Sequence, residues 1–155
     1  MSLSGLSVVL AILAGAESVP AERPVPFSMW AVAATQEDRK EKYFDEALEP
    51  MSAAVADLPF DTYHKVRTVR QDLGIGVETR IPLNEIYTLF IKPISRSEDG
   101  RIRLGVRVEM PPKKKGGDPV KALATEVLLR PGEMAKFGGF RLEEGRLVIV
   151  VAVGG

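Results

Sequence analysis

The sequence contains no cysteine and a single histidine, His64, and both shortages remove common kinds of active site. Without cysteine, the chain has no disulfide, thiol nucleophile, iron–sulfur cluster or cysteine-based zinc site. With one histidine, a histidine-rich metal site is excluded, and a serine–histidine–aspartate triad would have to use that residue. The nucleophile-elbow, zinc-protease and Walker motifs are also missing. We therefore expect no catalytic, cofactor-binding or metal-binding residues.

The chain also lacks net charge, because 21 lysines and arginines balance 21 aspartates and glutamates. A neutral chain has no long-range field, so we expect no general attraction to nucleic acid or to an anionic membrane. The only run of like charge is Lys113, Lys114 and Lys115, within the segment PPKKKGGDP. These lysines are the candidate contact for an anionic partner, although such a run is more often the solvated tip of a loop.

The N-terminal residues 3–16 form an uncharged apolar run. A membrane-spanning helix needs about 20 such residues, so the run is too short to cross a bilayer but fits a signal peptide. Small residues at 14–16 supply a cleavage site, although no lysine or arginine precedes the run. We predict a signal peptide at 1–16, with a buried N-terminal helix or strand as the alternative. The mature protein would then be exported, to the periplasm or the extracellular space.

The remaining chain divides into a proline-rich linker, 17–26, and a single β-rich domain, 27–155. The linker is extended or leads into an edge strand, because its three prolines disfavour helix. Residues 27–34 then predict a buried strand, with Trp30 in the core.

Strict alternation over Arg101–Met110 predicts a strand with one buried and one wet face. The preceding Asp99-Gly100 is a hairpin signal, so we expect an antiparallel hairpin over 87–108. The last third adds a strand at 122–129, a turn at 130–133, a short strand, a corner at Gly138-Gly139 and a terminal strand at 147–153. This terminal strand is apolar on both faces, which places it in the middle of a sheet.

One helix is expected, since five apolar side chains recur at helical spacing: Phe44, Leu48, Met51, Val55 and Leu58. Pro50 would disrupt a helix interior, so the predicted helix runs over 49–57, with Pro50 at its first position and a turn at 45–48 before it. The fold class is therefore mainly β, at the margin of α+β: an antiparallel β-sandwich or open barrel with one short N-terminal helix.

Paired carboxylates are the remaining candidates for chemistry, because glycoside hydrolysis uses two of them about 5–10 Å apart in a cleft. Asp57 and Asp61 flank a phenylalanine, and Glu143 and Glu144 are adjacent. Asp61 and the glutamates read as turn residues, however, so we expect no enzyme. Gly74-Ile75-Gly76 and Gly138-Gly139 are interpreted as turns or bulges.

Several short motifs resemble those of small exported bacterial β-rich proteins of unknown function, across most of 27–153. They are Trp30-Ala31-Val32-Ala33-Ala34, Phe44-Asp45 with Leu48, Leu58 to Tyr63, Leu129 to Glu133, and Gly138-Gly139. The closing turn and double glycine are also similar to sheet segments of secretin-type outer-membrane channels, although the rest of a secretin is missing. The resemblance implies a β-rich envelope protein and carries no catalytic residues.

Three functions follow as hypotheses. The first is a non-catalytic, exported envelope protein that acts as a binding or assembly module through sheet edges and loops, with a protein partner. The second is a carrier of a small apolar ligand or lipid, held between the sheet and the helix that contains Met51 and Val55. The third is a hydrolase that uses Asp57, Asp61 or Glu143.

Overall fold

The computed structural model describes residues 23–154, so the predicted signal peptide and residues 17–22 of the predicted linker lie outside the described part. The described chain is mainly β, with one short helical segment. Its strands, in chain order, are β1 (Val25–Thr35), β2 (Tyr43–Phe44), β3 (Thr62–Leu73), β4 (Thr79–Pro82), β5 (Thr88–Arg96), β6 (Ile102–Met110), β7 (Val120–Leu129), β8 (Met134–Arg141) and β9 (Arg146–Val153).

Two sheets pack face to face, as the predicted sandwich requires. The five-stranded sheet has the order β8-β9-β1-β3-β2, and the four-stranded sheet has the order β4-β5-β6-β7. All pairings in the two sheets are antiparallel except the short parallel pairing of β2 with β3. The sandwich prediction is therefore confirmed, with one parallel pair that the sequence did not indicate.

The main core lies between the sheets. Leu104 and Val108 of β6 are fully buried there, while Arg103 on the other face is exposed, which confirms the predicted alternation. The opposite sheet contributes alternate residues of β1 and β9, such as Met29 and Ile149, both 0% exposed. Burial of these apolar side chains is the main contribution to the stability of the packing between the two sheets.

A smaller core covers the outer face of the five-stranded sheet. A 3₁₀ helix, Glu46–Met51, continues into the four-residue helix α1, Ser52–Val55. Leu48 and Met51 pack from this segment against Val148 and Val150 of β9. Because both faces of β9 are covered, the terminal strand is apolar on both sides, as its sequence predicted.

The helical segment differs from the prediction in its start and type. The expected helix was 49–57, with Pro50 at its first position, whereas helical structure begins at Glu46 and Pro50 lies inside the 3₁₀ part. A short 3₁₀ turn accommodates this proline because its hydrogen bonds span three residues and few turns are made. Of the five apolar residues at helical spacing, Leu48, Met51 and Val55 are buried on this segment, whereas Phe44 lies on β2 and Leu58 lies beyond the helix, and both are only partly buried.

Strand β1 confirms the buried strand predicted over 27–34 but starts earlier than expected. It pairs with both β9 and β3 and is central, so the alternative that the linker leads into an edge strand is wrong. Val25 and Pro26, assigned to the linker, already belong to β1. Trp30 is only partly buried and packs on the smaller core, because its side chain lies on the helix-covered face.

Candidate functional site

The three predicted contact lysines, Lys113, Lys114 and Lys115, are exposed in the loop between β6 and β7. The amide of Gly117 donates to the Lys114 carbonyl at 2.9 Å, and Gly116 has a φ of 81°, so the loop is a tight turn. The lysines are thus displayed at a loop tip. Their role as the contact for an anionic partner stays a prediction.

The predicted carboxylates of 57 and 61 already have structural partners. Asp57 is highly exposed and pairs with Lys136 at 2.6 Å. Asp61 is 7% exposed and accepts the backbone N–H groups of Glu37 at 2.8 Å and Arg39 at 2.7 Å. Burial acts to raise the pKa of Asp61, but the hydrogen bonds outweigh it and the pKa lies below its ordinary value. Asp61 therefore fixes the loop before β2 as an ionised acceptor.

Glu143 and Glu144 are exposed on the turn between β8 and β9. Glu143 borders an apolar cleft whose lining includes neither Asp57 nor Asp61. The cleft therefore does not hold the carboxylate pair that a glycosidase mechanism would need.

His64 lies on β3 and forms a pair that the sequence did not reveal. Its Nδ1 is 3.1 Å from Oδ1 of Asp45, and the side chain is about half exposed. Asp45 also accepts the backbone N–H of Lys65 at 2.7 Å, and this bond is the main reason that its pKa is lowered. Asp45 thus supplies a hydrogen-bond acceptor for the Lys65 amide on the outer side of β3, and the His64 side chain pairs with the same carboxylate at the surface.

Two negative findings apply to residues 23–154. No group of three or more histidine, aspartate or glutamate side chains is placed to hold a metal ion there. In the same range, no helix is long and apolar enough to cross a membrane.

Three of the sheet edges carry features that block pairing with another strand. On β3, beyond the short strand β2, Asp45 occupies the Lys65 amide, and the unpaired side of 67–73 carries the charged side chains of Arg67, Arg70 and Asp72. Strand β4 has only four residues and ends in Pro82. Arg67 of β3 spans the gap between the sheets and donates to the Pro82 carbonyl at 2.6 Å. Shortness, proline, charge and local caps are the usual means by which proteins protect exposed edges.

The β8 edge is interrupted instead of capped. Its pairing with β9 shifts between Phe137 and Phe140, where Gly138-Gly139 forms a bulge, and Gly139 has a φ of 88°. The positive φ explains why glycine is needed at this corner. The bulge bends the strand, so β8 offers no long regular edge to a partner.

Strand β7 lacks these protections. It has ten residues, contains no proline and pairs on one side only, with β6. Its register shifts only near its start, so Leu123–Leu129 is regular and has Glu126 as its one charge. Within 23–154, no backbone hydrogen bond outside the β6 ladder reaches residues 120–128. Leu128 is 43% exposed on the outer face. We call the unpaired side of Leu123–Leu129 the β7 edge.

An apolar cleft of about 680 Å³ opens on the same side of the sandwich. The turn after β7 holds β7 and β8 together at one end, where the Glu133 amide donates to the Arg130 carbonyl at 3.0 Å. At the other end the two strands separate around the cleft. Its lining is mainly apolar and includes Ile86, Met110, Ala122, Phe140 and Leu142.

The outer face of the four-stranded sheet carries a shallow depression of about 760 Å³ around Gly105. Its arginine, Arg107, is already neutralised by Glu78 at 2.8 Å and Glu109 at 2.6 Å, and lies 4.2 Å from the Phe90 ring centre. The bond to Glu78 is the main reason that the Arg107 pKa is raised. Arg107 is thus paired within the chain, and the second cation of the depression is the exposed Lys92, which shares the lining with the carboxylates of Glu78 and Glu126.

No protein-family model matches the chain, and neither a curated protein nor a solved structure matches it either. The resemblance to small exported bacterial proteins therefore rests on the sequence motifs alone.

The β7 edge was only partly visible in the sequence. The apolar run at 122–129 predicted a strand, but an edge strand and an inner strand can share the same side-chain pattern. The low charge of Leu123–Leu129 was the available signal, and it becomes informative only once the strand is known to be an edge.

Proposed function

We propose that the protein is a non-catalytic binding or assembly module that pairs another β-strand with its β7 edge. The observation that carries this proposal is the contrast among the edges. Strand β4 is short, β8 is bulged and the open part of β3, 67–73, carries Arg67, Arg70 and Asp72, whereas Leu123–Leu129 is regular and has one charge. A soluble protein that leaves such an edge open is prone to aggregate unless a partner covers it. An edge kept in this form is therefore best explained by a partner strand.

Strand addition also suits the chemistry of this surface. Main-chain hydrogen bonds would supply affinity without a deep pocket, and alternate side chains would supply selectivity. The exposed Leu128 and Ala124 offer a small apolar surface on the outer face, beside Glu126, which pairs with Arg103 at 3.5 Å. No catalytic group is needed for this function.

Site-specific photo-crosslinking tests the proposal in the cell that makes the protein. A photoreactive phenylalanine analogue replaces Ala124 on β7, and in a second variant it replaces Arg80 on β4. Both positions are exposed on the outer face of the same sheet, at its two opposite edges. We expect a crosslinked product, identified by mass spectrometry, from position 124 and none from position 80.

Two results would contradict the proposal. One is the lack of any crosslinked product from position 124 while the variant is folded and present. The other is equal crosslinking from both positions, because that would indicate nonspecific proximity instead of a particular edge.

Export to a bacterial envelope is part of the same proposal. It is supported by the uncharged apolar run at 3–16 and the small residues at 14–16. N-terminal sequencing of protein recovered outside the cytoplasm should begin after Ala16. A mature protein that retains residues 6–13 would contradict export by this signal.

A second candidate function is the carriage of a small apolar molecule, which the apolar cleft between β7 and β8 favours. Met51 and Val55, which the sequence suggested for holding such a ligand, are both 0% exposed, but a smaller cleft of about 330 Å³ lies beside them, between Ala47 and Pro50 of the helical segment and Trp30 of the sheet. A fluorescent fatty-acid probe should bind the native chain and lose affinity in Ala122→Glu, which puts a charge in the cleft. Unchanged binding in this variant, or no binding by the native chain, would exclude the cleft as a carrier site.

A further inference from the structure

We infer that the strand which covers the β7 edge is the β7 edge of a second copy of this chain, paired antiparallel about Thr125. This inference rests on the proposed function and names its partner. The pairing would join two four-stranded sheets into one continuous sheet across a two-fold axis. It follows from which pairs of residues each possible register would bring together.

The geometry of an antiparallel ladder limits the choice of register. Residues directly opposite each other share a face of the sheet, so inner-face residues must pair with inner-face residues. For two identical strands related by a two-fold axis, a residue of β7 must then face its own counterpart at the centre. The central candidates are Ala124, Thr125 and Glu126.

Pairing about Thr125 sets apolar residues opposite apolar residues and threonine opposite threonine on the inner face. It sets Leu123 opposite Val127 of the second copy on the inner face, and Thr125 opposite Thr125. Both Leu123 and Val127 are partly buried and already pack on the main core, so their contact extends an existing apolar surface. Apolar contacts and threonine pairs across neighbouring strands both stabilise a sheet.

The outer face is compatible with the same register. Glu126 would face Ala124 of the second copy, so its carboxylate keeps its own Arg103 partner without meeting a like charge. The central residues 123–127 all lie beyond the shift in the β6–β7 register, in the regular part of the strand.

The two neighbouring registers are worse. Pairing about Glu126 would place two glutamates directly opposite each other, which destabilises a ladder. Pairing about Ala124 would set Leu123 opposite Thr125 on both sides and would draw the irregular residue Ala122 opposite Glu126. The strand is therefore most self-complementary about Thr125.

The cysteine-free chain allows a direct test by a single substitution, Thr125→Cys, in the otherwise unchanged protein. Opposite residues of an antiparallel ladder have Cα atoms roughly 4.5–5.5 Å apart, and a disulfide accepts about 4.4–6.8 Å. Under mild oxidation, we expect a covalent dimer of twice the chain mass, which a thiol reductant reverses. The unmodified wild-type chain should also sediment at twice its monomer mass.

Leu128→Cys is the matched control on the same strand. In the proposed register it faces Ala122 of the second copy, so the two cysteines lie about 20 Å apart, given about 3.3 Å per residue. It should give no covalent dimer under the same conditions. Equal crosslinking of Leu128→Cys would overturn the register, since it would indicate random collision or another alignment.

The outcomes separate this inference from the proposed function. A wild-type chain that stays monomeric, with no disulfide at Thr125→Cys, overturns the dimer. If position 124 nevertheless photo-crosslinks to a different protein, the β7 edge remains a binding edge with another partner. If position 124 yields no product of either kind, both proposals fail.

Discussion

The two open sides of the sandwich are built differently. On the side where β3 and β4 approach each other, Arg67 bridges the sheets through the Pro82 carbonyl at 2.6 Å, and Asp45 occupies the Lys65 amide at 2.7 Å. On the side where β7 and β8 diverge, an apolar cleft of about 680 Å³ separates the strands and Leu128 is 43% exposed. Charged side chains line the unpaired backbone of the first side, whereas the unpaired backbone of the second side is bordered by apolar surface.

This difference indicates where the molecule can bind. Sheet edges recruit other strands unless charge, proline, bulges or caps prevent it. Protection of one side shows that the same chain contains the means to close an edge, so the open side is better explained by a partner than by chance. The predictions below test whether the two sides differ in this way.

The largest effect is expected in the main core between the two sheets, which both sides share, at the inner strand β9. Ile149→Ala removes a side chain that is 0% exposed between the sheets, and it should lower the free energy of unfolding by about 2–5 kcal/mol. Leu128→Ala, at the β7 edge, should change the free energy of unfolding of the monomer by less than about 0.5 kcal/mol. Urea unfolding measures both, and equal losses would contradict the assigned burial.

The next effect concerns acid stability on the protected side. Asp61 has a lowered pKa in the folded chain, so its stabilising contribution is full above the ordinary aspartate pKa of about 3.9 and is lost as pH falls through the folded pKa. Asp61→Asn should therefore be less stable near neutral pH and lose less further stability on acidification. Urea unfolding at several pH values tests this; an unchanged acid dependence would contradict the assigned role of Asp61.

A smaller loss of stability is expected when the hydrogen bond that joins β3 to β4 is removed. Arg67→Ala removes the bond to Pro82, and because the pair is exposed we expect a loss below about 1 kcal/mol. Amide hydrogen exchange in β4 should become faster. Arg70→Ala is the control, since it removes a charge from the same strand but not the bond to β4. Equal acceleration in both variants would mean that charge alone, and not the bridge, protects this side.

The smallest effect is expected at the lysine loop. Replacing Lys113, Lys114 and Lys115 by alanine should change the free energy of unfolding by less than about 0.5 kcal/mol, because all three are exposed at a turn. Photo-crosslinking from position 124 should also be unchanged. Loss of that product would instead assign the lysines a part in binding.

Local patterns predicted much of the fold. Alternation identified β6, the Asp99-Gly100 turn identified the β5–β6 hairpin, and the apolar run at 147–153 identified β9 as an inner strand. Each of these signals depends on residues close together in sequence, so strand partners were not needed to read them.

What the sequence did not reveal depends on distant pairing. The parallel contact of β2 with β3, the Asp45 cap and the Arg67 bridge all join segments that no local period connects. For the same reason β7 was predicted as a strand but not as an edge. The candidate site therefore became visible only when the order of strands was known.

The most direct test of the central claim compares one substitution at the two edges of the four-stranded sheet. Thr125 on β7 and Thr79 on β4 are both partly buried threonines of edge strands. Sedimentation should show a dimer for the wild type and for Thr79→Lys, and a folded monomer for Thr125→Lys, because two lysines would meet at the two-fold axis. A monomeric wild type, or a Thr125→Lys chain that stays dimeric, would contradict the claim that two copies pair through β7.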